Sequence, residues 1–302
     1  MNRFAALIAA LTLIVSTAFA AEGNFEKTLT VSGAPNVSVT TGSGYVHVYS
    51  GSDSQIHIIG RVHVRPGLFG GDADSKVKQI VGNPPIKQFG NMITIGADHG
   101  ESRLFHNVSI DYEITTPSGT TLKTETGSGD LEIGGIEGMV IAETGSGEMK
   151  VDNIGADARL ETGSGSIHAI NVHGAATLQT GSGNLDLDLN GAGDVKAQTG
   201  SGSIRIKGVT GGLHAEAGSG NINVAGTPSG EWRLESGSGS VAAHVGSAAK
   251  FSLNAETGSG SVHVDQPLLS QGALDRQHIV GRVNGGGPTI RVTTGSGNIE
   301  IR

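Results

Sequence analysis

The sequence predicts an all-β protein, a single-chain β-solenoid (β-helix) of stacked two-strand coils of about 18 residues with Gly-Ser-Gly corners. Three observations support this prediction. A Gly-Ser-Gly tripeptide recurs at nearly constant spacing, polar and apolar residues alternate after each tripeptide, and many of the 50 glycines fall at these fixed positions. A period near 20 residues is typical of solenoids, and two-residue alternation indicates half-buried strands.

The first twenty residues have the pattern of a secretion signal. Arg3 precedes an apolar run over residues 4–15, and the small residues Ala18 and Ala20 provide a cleavage site. The run is too short for a membrane-spanning helix, which needs about 20 apolar residues. We therefore expect residues 1–20 to be removed and the mature chain to be periplasmic, cell-surface or secreted, with no membrane-spanning segment.

Composition excludes several classes of protein. The chain has no cysteine, so it cannot carry a cysteine-linked lipid, a disulfide framework or a thiolate metal site. Its formal charge is −8 with 20 basic and 28 acidic side chains, and removal of Arg3 makes it −9. Such an acidic chain offers no basic surface to a nucleic acid.

The Gly-Ser-Gly repeat is regular from Gly127 onward. Successive tripeptides from Gly127 onward are 18, 18, 18, 19, 18, 19, 21 and 37 residues apart, and we interpret the last interval as two periods with one degenerate corner. The tripeptides start at Gly42, Gly127, Gly145, Gly163, Gly181, Gly200, Gly218, Gly237, Gly258 and Gly295.

Each period contains two strands joined by a glycine-bearing bend. Ile204 and Ile206 illustrate the alternation after a corner, and Leu213 and Ala215 illustrate the run that leads into the next corner. One aliphatic residue lies in each bend and should fill the opening between the strands. Stacked coils would bury these side chains in a continuous core, which a lone coil cannot do. The bend residues are Ile136, Ile154, Val172, Leu189 and Val209.

The corners have their own requirements. Glycine on both sides of the serine permits backbones to stack closely, where a Cβ atom would interfere. The alternation turns the threonine before each corner inward, and we expect the threonine hydroxyls to form a ladder between neighbouring coils. The regular examples are Thr144, Thr162, Thr180 and Thr199.

The repeat divides the chain into three parts. Residues 1–20 are the signal peptide, and residues 21–120 are interpreted as wider, irregular coils or a cap with a Pro/Gly-rich loop near 65–91. Residues 121–302 form the regular Gly-Ser-Gly repeat solenoid, interrupted by an insertion near 265–288. Irregular segments could cover the ends of the solenoid and prevent edge-to-edge aggregation.

Several of these features resemble those of one known family. They are the export signal, the early tripeptide at residues 42–44, the proline-ended strand over 112–117, the repeats, and the Gly-Gly-Gly-Pro segment at 285–288 before the last repeat. Together they resemble the bacterial putative-adhesin β-strand-repeat family, over nearly the whole mature chain. The resemblance implies an extracytoplasmic β-solenoid, a domain of unknown function, with no catalytic residues to carry over.

No catalytic, cofactor-binding or metal-binding residues are predicted, and no cofactor. The Gly-Ser-Gly corners lack the strand-to-helix context of a nucleophile elbow and the lysine of a phosphate loop. In calcium-binding β-rolls an aspartate follows the glycines, whereas here the equivalent position is apolar, as at Leu131 and Ile167. Five histidines, at 168, 173, 214, 244 and 263, do not share a column on adjacent coils, and Trp232 aligns with the core positions Leu213 and Leu253.

One outward column of acidic and amide side chains precedes the corners. It could be a solvated face that keeps the protein soluble, or a strip that faces cations or sugars. Its members are Glu125, Glu143, Glu161, Gln179, Gln198, Glu216, Glu235 and Glu256.

These observations favour a non-catalytic, exported, structural or adhesin-like scaffold of the bacterial cell envelope. Its partner would be an unknown protein or polysaccharide of the envelope or surface. The alternative is a polysaccharide-binding or polysaccharide-processing β-helix protein, although processing helices usually have longer three-strand coils. Binding to ice or mineral lattices is a third hypothesis, which the inward threonines weaken.

Overall fold

The computed structural model describes residues 21–51, 54–65, 73–96, 103–270 and 275–302. The predicted signal peptide lies outside the described residues.

Strands make up most of the described chain. The first nine are β1 (Ala21–Thr30), β2 (Asn36–Ser43), β3 (Val46–Ser50), β4 (Gln55–Val64), β5 (Ile86–Phe89), β6 (Met92–Gly96), β7 (Val108–Thr116), β8 (Thr121–Ser128) and β9 (Leu131–Gly134). The next nine are β10 (Val140–Ser146), β11 (Met149–Ile154), β12 (Ala158–Ser164), β13 (Ile167–Val172), β14 (Ala176–Ser182), β15 (Leu185–Leu189), β16 (Val195–Ser201), β17 (Ile204–Val209) and β18 (Leu213–Ala217). The last nine are β19 (Ile222–Gly226), β20 (Trp232–Ser238), β21 (Val241–Val245), β22 (Phe251–Thr257), β23 (Val262–Val264), β24 (Leu268–Ser270), β25 (His278–Val283), β26 (Thr289–Ser296) and β27 (Ile299–Ile301). One α-helix, α1 (Ala73–Gly82), and one 3₁₀ turn (Arg103–Phe105) complete the described elements.

The strands form two long sheets that enclose one core, as in a β-solenoid. Within the described residues the first sheet has 13 strands in the order β1-β4-β7-β3-β9-β11-β13-β15-β17-β19-β21-β27-β23. The second has 14 strands in the order β24-β25-β22-β26-β20-β18-β16-β14-β12-β10-β8-β2-β6-β5. The predicted fold class is confirmed.

The regular coils stack in parallel register from β8 to β21. Each coil contributes one strand to each sheet, and equivalent residues pair with the coil above, as Leu160 does with Leu178. Alternate side chains point into the shared interior and are buried, which accounts for the period-2 pattern. All five predicted bend residues, Ile136, Ile154, Val172, Leu189 and Val209, are buried. Trp232 is also in the core, and its indole N–H donates to the carbonyl of Gly211 at 3.0 Å.

The corners stack glycine on glycine. A Cβ atom on Gly163 would lie 2.6 Å from the carbonyl oxygen of Gly145 in the coil below, so no larger residue fits without backbone movement. The inward direction of the threonines is confirmed, because Thr144, Thr162 and Thr180 are buried.

The threonine hydroxyls link neighbouring coils, as the predicted ladder requires, and they do so through backbone carbonyls. Each hydroxyl donates to a backbone carbonyl of the neighbouring corner, as Thr144 does to Gly129 at 3.1 Å, and not to the next threonine. The corner glycine lies between two strands, and the threonine hydroxyl supplies a donor to its partly buried carbonyl.

The N-terminal part departs from the simple coil. Strands β2 and β3 lie directly beside β8 and β9, so that Ser43 pairs with Ser128. The intervening chain runs to the end of the solenoid and returns, and there β4 pairs antiparallel with β1 and β7. The interpretation of residues 21–120 as successive wider coils did not include this antiparallel ladder.

The segment predicted as a Pro/Gly-rich loop near 65–91 contains helix α1 and strand β5. Val77 and Ile80 of the helix are buried in the core. The helix packs against β1 where Gly23 leaves space, since a Cβ there would lie 2.5 Å from Val77 Cγ1. The helical spacing of its apolar residues was overlooked because proline and glycine residues on either side favoured a loop.

The C-terminal coils are out of chain order. Strand β26 lies between β20 and β22, and β27 lies between β21 and β23. The interval of 37 residues is therefore not two periods with a degenerate corner. It contains the strands β24 and β25, which pair antiparallel at the edge of the second sheet, and the chain then returns to insert its last coil.

None of the helices in the described part of the chain has the length and apolar character needed to cross a membrane.

Candidate interaction surfaces

The outer face of the second sheet carries a groove along the corners. The groove has a volume of about 820 Å³ and extends over six consecutive coils. Bare corner glycines and the backbone of the buried threonines line it on one side, because neither projects a side chain outward. Strands about 4.8 Å apart give it a length of about 24 Å. The predicted acidic and amide column lines the other side, from Glu125 to Glu216.

The structure aligns this predicted column with one exception. Glu125, Glu143, Glu161, Gln179, Gln198, Glu216 and Glu235 pair in unbroken succession. Thr293 of the inserted strand β26 separates Glu235 from Glu256. The two glutamines join the column, because Gln179 donates to Gln198 at 2.7 Å and Gln198 donates to Glu216 at 2.8 Å.

A second column runs beside the acidic one, two residues earlier on the strands, and it is basic at four of seven positions: Lys123, Arg159, Lys196 and Arg233, with Ile141, Thr177 and His214 at the others. Three of its cations pair with the carboxylate of their own strand: Lys123 with Glu125 at 2.5 Å, Arg159 with Glu161 at 2.5 Å, and Arg233 with Glu235 at 2.6 Å. The hydrogen bonds to these carboxylates raise the pKa of Lys123 and of Arg233. On these three strands the second sheet therefore places opposite charges side by side.

Glu143 differs from its neighbours in the column. The residue two positions earlier on its strand is Ile141, so this carboxylate has no cation on its own strand. Glu125 and Glu161 lie on the two adjacent strands in the same register. Like charges directly opposite on neighbouring strands repel each other.

The outer face of the first sheet mixes charges within each column. Asp186 lies 2.8 Å from Arg205 and 3.2 Å from His168, which belong to the two adjacent strands. The aspartate is thus held by side chains of neighbouring coils and is unlike a calcium ligand with free oxygens.

A cluster of aromatic and charged residues interrupts the repeat near the start of the first sheet. Arg61 donates to the Tyr45 hydroxyl and lies 2.8 Å from Glu113. The Tyr45 ring stacks on His47 with ring centres 4.4 Å apart, and His47 lies 3.7 Å from Glu132. Burial, assisted by nearby carboxylates, raises the pKa of Tyr45 against the lowering effect of Arg61.

Beside this cluster lies a second cavity, of about 520 Å³, which we name the Tyr49 cavity. It is lined by Tyr49, Glu132, Gly134, Lys150, Asp152, His168 and Ile170, among others. The Tyr49 ring rests on Gly134, where a Cβ atom would lie 3.1 Å from Tyr49 Cδ1. Burial and a hydrogen bond to Glu132 raise the pKa of Tyr49 to about 12.

The histidines singled out in the sequence do not converge, and one of them, His168, lines the Tyr49 cavity. His168, His214 and His263 pair with acidic neighbours on separate coils, at 3.2, 3.8 and 2.9 Å. Within the described ranges, no group of three or more His, Cys, Asp or Glu side chains is placed to hold a metal ion.

Two features were missed from the sequence. The basic column could have been found by extending the alternation two residues back from the members of the acidic and amide column, which reaches Lys123, Arg159, Lys196 and Arg233 among others. The Tyr49 cavity could not, because it depends on β3 lying beside β9, two strands separated by more than 80 residues of chain.

Comparisons with known proteins identify a family but no characterised relative. The model of a family described as Toastrack DUF4097 matches residues 91–302. No curated protein matches the chain.

Three solved structures are similar over most of their length. A putative cell adhesion protein from Clostridium sporogenes is 11% identical, with 92% of this chain and 99% of that chain covered and a TM-score of 0.22. A putative adhesin from Bacteroides fragilis is 14% identical, covering 93% and 97% with a TM-score of 0.27. Another from Parabacteroides merdae is 11% identical, covering 92% and 96% with a TM-score of 0.29. Similarity at this level supports no conclusion about function.

Proposed function

The chain belongs to the Toastrack DUF4097 family, and from this premise we propose that it is an exported, non-catalytic interaction scaffold of the bacterial cell envelope. Its partner would be a protein or polysaccharide of the envelope or surface. The signal-like segment over residues 1–20 supports export.

One observation carries the proposal: the second sheet presents the same kinds of side chain at the same position on successive coils. Carboxylate and amide groups recur from Glu125 to Glu235 at strand spacing, beside a column that includes Lys123, Arg159, Lys196 and Arg233. An active site needs different groups converging on one point, whereas this face repeats the same groups along a line. A repeated face suits an extended partner that is contacted at many weak points.

The corner serines fit the same interpretation. They recur in every regular coil, and pairs such as Ser164 and Ser182 stand in register. Identical hydroxyls along an edge, without a histidine column beside them, support a structural and not a nucleophilic role.

The experiment has two parts, the first of which concerns export. The full chain carrying a C-terminal tag is expressed in a bacterium and fractionated into cytoplasm, periplasm, envelope and medium. We expect the tagged protein outside the cytoplasm, with a mature N-terminus at Ala21. Retention of unprocessed chain in the cytoplasm would contradict the proposal.

The second part tests the groove as a contact surface. Glu143, Glu161 and Glu216 are changed together to glutamine, which Gln179 and Gln198 already show to fit the column. The control changes three exposed acids outside the groove, Glu26, Glu137 and Glu231, to glutamine, with the same loss of charge.

Binding of the purified mature protein to isolated envelopes is then measured by sedimentation. We expect the groove variant to bind more weakly than the control variant. Equal binding by the two variants would show that the groove does not contact the envelope. Release of modified sugars or peptides from the envelopes would contradict a non-catalytic role.

A further inference from the structure

The Tyr49 cavity combines exposed apolar groups with polar ones on the outer face of the first sheet. Tyr49 is 42% exposed and Ile170 is 57% exposed, although both occupy outward positions where most coils have charged residues or glycine. Exposed large apolar side chains beside polar groups in a concave site are typical of ligand sites.

The sequence of side chains on successive strands creates the concavity. Tyr49, Gly134, Asp152 and Ile170 stand in one column on β3, β9, β11 and β13. Gly134 has no side chain, so the Tyr49 ring leans onto it and leaves one face of the ring open. Three strand spacings of about 4.8 Å separate the two apolar ends by about 14 Å.

The polar groups of the cavity nearly cancel in charge. Glu132 and Asp152 provide two carboxylates, Lys150 provides one cation, and His168 can donate or accept. A strongly anionic or cationic polymer would therefore gain little here. Groups that accept and groups that donate lie within one strand spacing of each other, which suits a ligand whose hydroxyls do both.

The ring of Tyr49 is held in place before any ligand arrives. Gly134 supports one side of the ring, since a Cβ atom there would lie 3.1 Å from Tyr49 Cδ1, and Glu132 lies on the strand beside it. A fixed aromatic ring with an open face binds an apolar ring surface with little loss of side-chain entropy. The cavity volume of about 520 Å³ lies in the range of small-ligand sites, roughly 300–1,000 Å³.

We infer that the Tyr49 cavity binds a short segment of a neutral oligosaccharide, with the C–H face of one sugar ring against Tyr49 and the sugar hydroxyls bonded to Glu132, Lys150 and Asp152. The inference rests on the proposed interaction function and assigns it a second surface, on the sheet opposite the acidic groove. A glycan bound here would leave that groove free for another contact.

The test uses the purified mature protein and four probes: maltohexaose, cellohexaose, chitohexaose and, as the charged comparison, a hexamer of galacturonic acid. Binding is measured by isothermal titration calorimetry and by saturation-transfer NMR. We expect at least one neutral hexamer to bind and the anionic hexamer to bind more weakly. Failure of all three neutral probes would overturn the inference.

Substitutions at Tyr49 and Gly134 test whether the ligand binds against the Tyr49 ring. Tyr49→Ala should weaken binding about tenfold, whereas Tyr49→Phe, which keeps the ring, should retain most of the affinity. Gly134→Ala should also weaken binding by displacing the ring. Phe89→Ala is the matched control, because Phe89 is a 79% exposed aromatic residue on the other sheet. Circular dichroism checks that each variant is folded.

The outcomes separate this inference from the proposed function. Equal affinity in Tyr49→Ala and Phe89→Ala, or binding of extended peptides in place of the sugars, would overturn the saccharide site. Export and envelope binding through the acidic groove could still hold in that case, because those measurements use different variants on the other sheet.

Discussion

The hydroxyl of Thr180 donates to the carbonyl oxygen of Gly165 at 2.9 Å, joining the end of one strand to the corner of the coil below. The same bond joins Thr199 to Gly183, Ser236 to Gly220 and Thr294 to Gly239. Each of these side chains is buried while the accepting glycine is only partly buried, so the bond satisfies a hydroxyl that has left bulk water. The residue before the tripeptide is therefore part of the corner.

Thr180→Val should destabilise the protein by about 0.5–1.5 kcal/mol, because it removes the hydrogen bond to the partly buried Gly165 carbonyl while the side-chain shape is kept. Thr180→Ser retains the hydroxyl, as Ser236 does naturally, and should be the more stable of the two variants. Thermal unfolding followed by circular dichroism measures the difference. A valine variant at least as stable as the serine variant would show that the carbonyl needs no donor.

Gly163→Ala should be destabilising, since the added Cβ would lie 2.6 Å from the carbonyl oxygen of Gly145 and the backbone would have to shift. Overpacking of this kind typically costs about 1–3 kcal/mol. Gly246→Ala is the control, because nothing lies within 4 Å of the added atom there. Urea unfolding of both variants provides the comparison, and equal midpoints would contradict close stacking at the corners.

Local pattern was enough to predict the repeating unit, but not the order in which units stack. The burial of Thr180 and of the bend residue Val172 follows from the alternation of nearby residues in the sequence. These buried positions could therefore be predicted. The pairing of Ser43 with Ser128, and of Ser238 with Ser296, depends on which of several similar coils lie adjacent. Coils with the same pattern of buried residues stack equally well by that criterion, so the pattern does not distinguish them.

The helix α1 was not predicted from the sequence for a different reason. Ala73, Val77, Ile80 and Val81 have helical spacing, but the surrounding prolines and glycines favoured a loop interpretation. The Tyr49 cavity was not predicted because its lining comes from strands that are distant in sequence. The order of the coils was not predicted for the same reason.

Glu143→Gln should stabilise the protein by about 0.2–1 kcal/mol at low salt, since it removes repulsion from Glu125 and Glu161 without breaking a same-strand ion pair. The gain should vanish near 1 M salt, where the screening length is about 3 Å. Glu161→Gln is the comparison, because it also removes the contact with Arg159 and should give a smaller gain. A gain that persists at high salt would mean that repulsion is not its cause.

The three tyrosines of the chain should all ionise above the usual pH in the folded protein. Burial raises the pKa of Tyr45 and Tyr112, and burial with the Glu132 hydrogen bond raises that of Tyr49 to about 12. Folding thus favours the neutral phenols, so their stabilising contribution is complete below about pH 10 and is lost as the pH rises toward 12. Phenolate absorbance in native and denatured protein measures this, and Tyr49→Phe should remove the component near 12. A native tyrosine ionising at about pH 10 would contradict the structure.

Deleting residues 289–302 should loosen the structure well beyond the residues removed. These residues form β26 and β27, which lie between the coil of β20 and β21 and the coil of β22 and β23. Without them, Phe251 and Leu253 would lose the neighbouring strand on one side and their core contacts would be exposed. Hydrogen exchange should therefore accelerate across residues 251–264 as well.

The control replaces residues 266–286 with a short Gly-Ser linker, which removes the edge strands β24 and β25 and keeps β26 and β27. Strand β22 then keeps β26 as its partner, so amides in 251–264 should remain more protected than in the 289–302 deletion. If the deletion of 289–302 left the exchange of residues 251–264 unchanged, the last coil would not be inserted between the other two. The solenoid would then stack in simple chain order, as the spacing of its tripeptides alone had indicated.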